Sequence, residues 1–174
     1  MTQRGFICSI CGARHAGPPT AYESTAPQAW FALSEQDRAE RGRIDGEIAM
    51  ITGSGGLRAF LRGSIEIPVA EAQQPLVMTV WVELGAADLR EVLGSWHDAD
   101  RADGPPLLSV LANDVLGFPA SVGLGALLYP REVGTRPRIQ LTPDEHPLVV
   151  AQRDGITIER VQQIAELVAH PAGT

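Results

Sequence analysis

Two segments in the middle of the chain have the composition of β-strands, and they constrain the fold more than any other feature. Residues 57–69 alternate with period two, which is typical of a strand with two different faces. One face carries Phe60, Arg62, Ser64 and Glu66, and the other carries Leu61, Gly63, Ile65 and Ile67. Residues 76–84 are apolar with little alternation, which predicts a central strand covered on both sides.

Further strands are predicted at 47–52, 107–113, 124–129 and 138–141. Helices are predicted at 35–43, at 86–96 and from a Thr157 cap to Ala169. Strands followed by flanking helices indicate an α+β fold with a mainly antiparallel sheet. We expect a single domain over residues 1–174. Residues 1–32 form an irregular N-terminal segment in this prediction, since its three prolines oppose regular helix.

The N-terminal segment carries the clearest chemical motif of the chain. Cys8 and Cys11 are separated by two residues, Gly12 follows, and His15 lies four residues after Cys11. This spacing allows a knuckle in which both thiolates and the imidazole bind one zinc ion. A redox pair, or a knuckle kept only for packing, would have the same sequence. The fourth zinc ligand could be His97, His146, an acidic side chain or water; water would make the site resemble a catalytic centre.

Several short motifs together resemble one bacterial family. In chain order they are Cys8-x-x-Cys11-Gly12-x-x-His15, Pro27-x-x-Trp30, Leu61-Arg62-Gly63-x-Ile65-Glu66-Ile67-Pro68-Val69, Trp81-Val82, Arg136-Pro137, His146-Pro147-Leu148 and Gly155-Ile156. The chain resembles the uncharacterised family known as domain of unknown function 2199 over nearly its whole length. The resemblance implies a shared fold and a metal knuckle, but no reaction.

Composition excludes several function classes. The chain has 174 residues and a net charge of −7, so we expect no nucleic-acid partner and consider a basic protein partner instead. All 14 basic residues are arginine, which excludes lysine Schiff-base and P-loop chemistry. No apolar stretch is long enough for a membrane-spanning helix, and no signal-peptide core precedes the knuckle, so a cytoplasmic location is expected.

Two other groups of residues are candidate sites. His146 follows Asp144 and Glu145, which allows either a catalytic dyad or a bond to loop backbone. Arg62, Glu66 and Arg136 suggest ion pairs or an anion site, with Glu66 or Glu83 as the expected partner.

The sequence favours a non-catalytic interaction or accessory protein with a structural zinc knuckle, in one version an acidic inhibitor or immunity-type protein. Its acidic contact surface would be the loop of Asp98, Asp100 and Asp103, together with Glu91. The alternative is a metal-dependent hydrolase that uses a Cys8, Cys11 and His15 zinc site. The sequence predicts no oligomeric state.

Overall fold

The computed structural model describes residues 5–15, 17–70 and 72–170, and strands dominate these parts of the chain. The strands are Phe6–Ile7 (β1), Arg14–His15 (β2), Ala21–Glu23 (β3), Gly42–Asp45 (β4), Ile48–Gly53 (β5), Gly56–Ile67 (β6), Leu76–Leu84 (β7), Leu107–Leu111 (β8), Gly125–Tyr129 (β9) and Arg138–Leu141 (β10). The helices are Gln28–Phe31 (α1), Glu35–Arg41 (α2), Ala86–Gly94 (α3), Pro147–Asp154 (α4) and Ile158–Ala169 (α5), with a 3₁₀ turn at Arg101–Asp103. The α+β class is therefore confirmed.

Five of the strands close into a small barrel. β6 and β7 form the long antiparallel pair, with register from Ala59↔Leu84 to Ile67↔Leu76. The sheet continues through β8, β9 and β10, and β10 returns to β6 in parallel orientation at Arg138↔Ser64. β3 adds a second parallel pairing beside β7, while β5 and β4 extend β6 on its other side. The sheet is mainly antiparallel, as expected, because six of its eight strand pairings are antiparallel. Its two parallel pairings and its closure into a barrel were not predicted.

The period-two pattern of β6 separates two hydrophobic clusters. Leu61 and Ile65 of β6 belong to the main core together with Val80 of β7. The opposite faces of the same strands supply Phe60 and Trp81 to a second cluster, where both are fully buried. Because apolar groups cover both faces of β7, its lack of alternation follows from its central position, as predicted.

Helices contribute further side chains to the main core, namely Leu89 of α3, Leu148 of α4, and Val161 and Ile164 of α5. α3 is shorter than the helix predicted at 86–96. It ends at Gly94, and Leu93 is exposed. The α4 helix was not predicted at all. None of the helices in the described ranges is both long and apolar enough to cross a bilayer.

The N-terminal segment that carries the expected knuckle contains more regular structure than predicted. This segment contains the β1–β2 hairpin, β3 and α1. β3 forms because the edge of β7 offers it backbone partners, with Ala21 paired to Val77. The residues that follow β3 are held by Asn113, whose side-chain amide donates a hydrogen bond to the carbonyl of Ala26 (2.8 Å).

Candidate metal centre

The β1–β2 hairpin shapes the knuckle that carries both cysteines. The Cys8 amide donates to the carbonyl of Ala13 (2.9 Å), and the Gly12 amide donates to the carbonyl of Cys8 (3.0 Å). Gly12 has φ +70°, a left-handed conformation that glycine adopts without steric cost. The chain therefore turns back on itself immediately after Cys11.

This turn brings the predicted ligand residues together. The sulfur atoms of Cys8 and Cys11 and one ring nitrogen each of His15 and His170 all lie within 4.8 Å of one another. The Cys11 sulfur is 3.3 Å from Nε2 of His15. Both cysteines are free thiols; Cys8 is buried, and Cys11 is exposed. The geometry thus unites the three predicted residues and adds a fourth.

His170 comes from the other end of the described chain, where it caps the C-terminus of α5. Its Nε2 atom is buried and has no hydrogen-bond partner among residues 5–15, 17–70 and 72–170. A buried ring nitrogen without a partner is costly, and a metal ion is one group that would satisfy it. The His170 ring also meets the His15 ring edge to face, at 5.6 Å between centroids.

The two histidines considered as the fourth ligand lie elsewhere. His97 is exposed and outside the cluster. His146 instead caps α4, with its Nδ1 accepting a hydrogen bond from the Leu148 amide (3.1 Å). The Asp144 carboxylate accepts from the backbone amide of His146 (2.9 Å) and not from its ring. The structure therefore gives His146 a structural role, and the Asp144–His146 dyad is not formed.

Contacts behind the ligands hold the knuckle against α5. The buried Glu166 carboxylate accepts hydrogen bonds from the Ser9 hydroxyl (2.5 Å) and the Ser9 amide (2.6 Å). These two hydrogen bonds lower the pKa of Glu166. Phe6, Cys8 and Ala165 form a small apolar cluster next to them. The hairpin and the end of α5 are thus joined by polar and apolar contacts as well as by the ligand set.

The donor set suits zinc. Two thiolates and two imidazoles form a Cys₂His₂ set, a common structural zinc site. Bonds of about 2.0–2.3 Å in a tetrahedron place the ligand atoms roughly 3.3–3.8 Å apart. The 4.8 Å limit within which these four atoms lie is close to that spacing. A small inward movement of the side chains would bring them to a single ion.

The predicted arginine and glutamate groups form ion pairs, with partners that differ from those expected. Glu66 pairs with Arg131 (2.8 Å), and Glu83 pairs with Arg58 through two hydrogen bonds (2.8 and 2.6 Å). Arg62 pairs with Glu23 (2.9 Å). Arg136 pairs with Glu47 (2.9 Å) and with Glu23 (3.1 Å). The Arg58–Glu83 pair joins the neighbouring strands β6 and β7. Arg131 and Arg136 instead come from the loop between β9 and β10, so their pairs depend on the path of that loop.

Comparison with known families agrees with this description. Residues 7–156 match the family model described as an uncharacterized protein conserved in bacteria (DUF2199). The chain belongs to this family, as its sequence motifs predicted. The matched segment includes Cys8, Cys11 and His15 and ends before His170. No curated protein and no solved structure matches the chain.

Sequence reasoning missed His170 for a physical reason. It lies at the opposite end of the chain from the knuckle, so no spacing rule connects it to Cys8. The available signals were weak: the chain has only four histidines, and His170 follows directly after the predicted C-terminal helix. The packing of α5 against the hairpin decides its place.

Proposed function

We propose that this protein is a non-catalytic interaction or accessory module, with a structural zinc ion on Cys8, Cys11, His15 and His170. The observation that carries the proposal is the number of ligands: four protein side chains complete a tetrahedral site. Zinc here would join the first hairpin to the last helix. Binding energy at such a site contributes directly to folding stability.

The alternative is a metal-dependent hydrolase that uses Cys8, Cys11 and His15 and a bound water. A catalytic zinc keeps one coordination position open for water or substrate. A ring nitrogen of His170 lies within 4.8 Å of the other three ligand atoms and would take up that position as a fourth protein ligand. The geometry therefore supports a structural ion over a catalytic one.

A basic protein is the partner that we propose, and the groove next to the 3₁₀ turn supports it. The groove has a volume of about 340 Å³, and its lining includes the apolar side chains of Val92 and Leu107. Glu91, Asp100 and Asp103 line its rim. Among residues 5–15, 17–70 and 72–170, none of these three carboxylates forms an ion pair within 4 Å, so their charges are available to a cationic surface.

An inhibitor of a basic toxin, of the immunity-protein type, is one form of this proposal. We place it in the cytoplasm, where a reducing environment keeps Cys8 and Cys11 available as zinc ligands. Nothing in this form of the proposal requires a reaction. It requires a stable fold and a surface of complementary charge.

Metal content tests the zinc proposal. Protein purified without added metal should contain about one zinc per chain by elemental mass spectrometry. His170→Ala and Cys11→Ser should each lower the zinc content and the melting temperature. His97→Ala is the matched control, because that histidine is exposed and outside the cluster. Wild-type protein without zinc would refute the proposal. Full zinc content in His170→Ala, with a hydrolytic activity lost in Cys11→Ser, would favour the hydrolase.

Partner capture tests the acidic surface. Replacing Asp98, Asp100 and Asp103 together with Asn should weaken binding to a basic partner, and added salt should slow its association. A matched control replaces Glu40, Asp45 and Glu145, three exposed acidic residues elsewhere, with their amides. The melting temperatures of both triple variants should stay close to that of the wild type. A captured partner whose binding ignores salt and the first triple variant would rule out this surface.

A further inference from the structure

One buried arginine has no acidic partner. Arg101 is 8% exposed, and its guanidinium donates to the carbonyls of Arg131 (2.5 Å), Thr135 (2.7 Å), Glu132 (2.9 Å) and Trp96 (3.0 Å). No carboxylate in the described ranges lies within 4 Å of it. Carbonyl dipoles and the Trp96 ring, whose centroid lies 4.6 Å from the guanidinium carbon, offset part of the cost of burying this cation, but none of these groups carries a negative charge.

Arg101 lies beside a cavity of about 590 Å³. β5 and β10 pair with successive parts of the same edge of β6. The cavity lies at the point where β5 and β10 part. The Arg62 amide donates to the carbonyl of Glu47, just before β5, whereas the Ser64 amide donates to the carbonyl of Pro137, just before β10. The residues that line the cavity are Glu47, Ser64, Trp96, Arg101, Arg131, Gly134, Thr135 and Arg136.

The lining carries more basic than acidic side chains, although the net charge of the chain is −7. Three arginines face one glutamate around the cavity. Arg131 uses Nη2 for its pair with Glu66, and Arg136 uses Nε and Nη2 for Glu47 and Glu23. Nε and Nη1 of Arg131 and Nη1 of Arg136 take no part in these pairs. These nitrogens are the donors that an incoming anion could use.

We propose that this cavity binds the phosphoryl group of a small organic phosphate. Arginine is the residue best suited to a phosphate dianion, because its planar group offers two parallel donors. Ser64 and Thr135 add hydroxyl groups to the lining. Trp96 adds apolar surface for the organic part, although the Arg101 guanidinium covers one face of its ring (4.6 Å). The volume falls in the range of small-molecule sites, about 300–1,000 Å³. Arg101 acts as a positioning residue, since it holds the segment that carries Arg131.

The cavity shares no residue with the metal centre or with the interaction surface, apart from Arg101, which also borders the acidic groove. If the zinc proposal fails, the phosphate proposal still stands. If the phosphate proposal fails, the zinc proposal still stands.

Isothermal titration calorimetry tests the inference with three probes: inorganic phosphate, adenosine 5′-monophosphate and adenosine. We expect saturable binding of the monophosphate with a Kd of about 1 mM or tighter, and none of adenosine. Equal affinity for inorganic phosphate would show that the phosphoryl group alone is recognised. Weaker binding of inorganic phosphate would show that the organic part contributes as well.

Arg131→Gln is the decisive variant. It should weaken binding of the monophosphate by about tenfold or more, as expected for the loss of one charge-assisted contact. Arg58→Gln is the control, because that arginine is also ion-paired on the surface but lies outside the cavity. Its affinity should stay at the wild-type value. The inference is overturned if neither phosphate probe binds, or if Arg131→Gln and Arg58→Gln change the affinity equally.

Discussion

Replacing Trp81 with alanine should lower the free energy of unfolding by about 3–5 kcal/mol. Trp81 is fully buried and packs in the second cluster with Phe60, Ile51 and Ala112. A tryptophan buries roughly 150–250 Å². At about 25 cal/mol per Å² this area corresponds to roughly 4–6 kcal/mol, an upper bound because the unfolded chain already buries part of it. The cavity left behind adds to the loss.

The polar part of the Trp81 side chain can be separated from its packing. Its Nε1 donates to the carbonyl of Ser24 (3.1 Å), which also accepts a hydrogen bond from Arg62 (2.8 Å). Trp81→Phe removes the indole donor but keeps most of the apolar contact. The Ser24 carbonyl keeps its bond to Arg62 in that variant. We therefore expect a smaller loss of about 1–2 kcal/mol, from one hydrogen bond and part of the ring.

Urea unfolding followed by far-ultraviolet circular dichroism measures both values without relying on tryptophan fluorescence. Phe31→Ala is the control, since Phe31 is 56% exposed and its truncation should cost less than about 0.5 kcal/mol. A loss below about 1 kcal/mol for Trp81→Ala would refute the central position of β7 in the folded chain. A Trp81→Phe loss as large as that of Trp81→Ala would refute the division between packing and hydrogen bonding.

Two further predictions concern polar side chains that complete the barrel and its loops. The side-chain amide of Gln152 accepts a hydrogen bond from the Leu141 backbone amide and donates one to the Ile139 carbonyl, both at 2.8 Å. Gln152→Leu should therefore lower the free energy of unfolding in urea by about 1–3 kcal/mol and speed hydrogen exchange at the Leu141 amide. Unchanged exchange at Leu141 would contradict this role. A hydrogen bond from the Ser121 backbone amide lowers the pKa of the Asp114 carboxyl in the folded state. The Asp114 carboxylate therefore stabilises the fold at pH values above the ordinary aspartate pKa, and this stabilisation is lost as the pH falls through the lowered pKa of the folded state. Asp114→Asn should therefore show a smaller drop in melting temperature between pH 7 and pH 3 than the wild type. Identical drops in the two proteins would contradict a stabilising role of the ionised Asp114.

Local patterns predicted the elements that carry their own signals. The strand at Leu76–Leu84 and the strand at Arg138–Leu141 have the predicted bounds. The last helix, Ile158–Ala169, follows a Thr157 cap whose side chain accepts from the Arg160 amide, as expected. Strand periodicity and helix caps act over a few residues, so they can be read without knowing the fold.

Elements that depend on a distant partner could not be predicted in the same way. β3 has only three residues and no clear pattern, and it is a strand because the edge of β7 is available to it. The closure of the barrel rests on the parallel contact of β10 with β6. No local signal specifies that contact, because it joins residues far apart in the chain. The same holds for the ion-pair partners of Glu83 and Glu66: the pairing of β6 with β7 selects Arg58 for Glu83, and the loop between β9 and β10 brings Arg131 to Glu66.

The sequence alone determined the α+β class, the family and three members of the candidate metal site. Cys8, Cys11 and His15 could be recognised because ligands on one short knuckle keep a fixed spacing. Only the tertiary structure decided the fourth member and the basic cavity. His170 reaches the knuckle through the packing of α5, and Arg101 reaches Arg131 because the 3₁₀ turn packs against the segment between β9 and β10. Both depend on long-range packing, which brings together residues that no spacing rule connects.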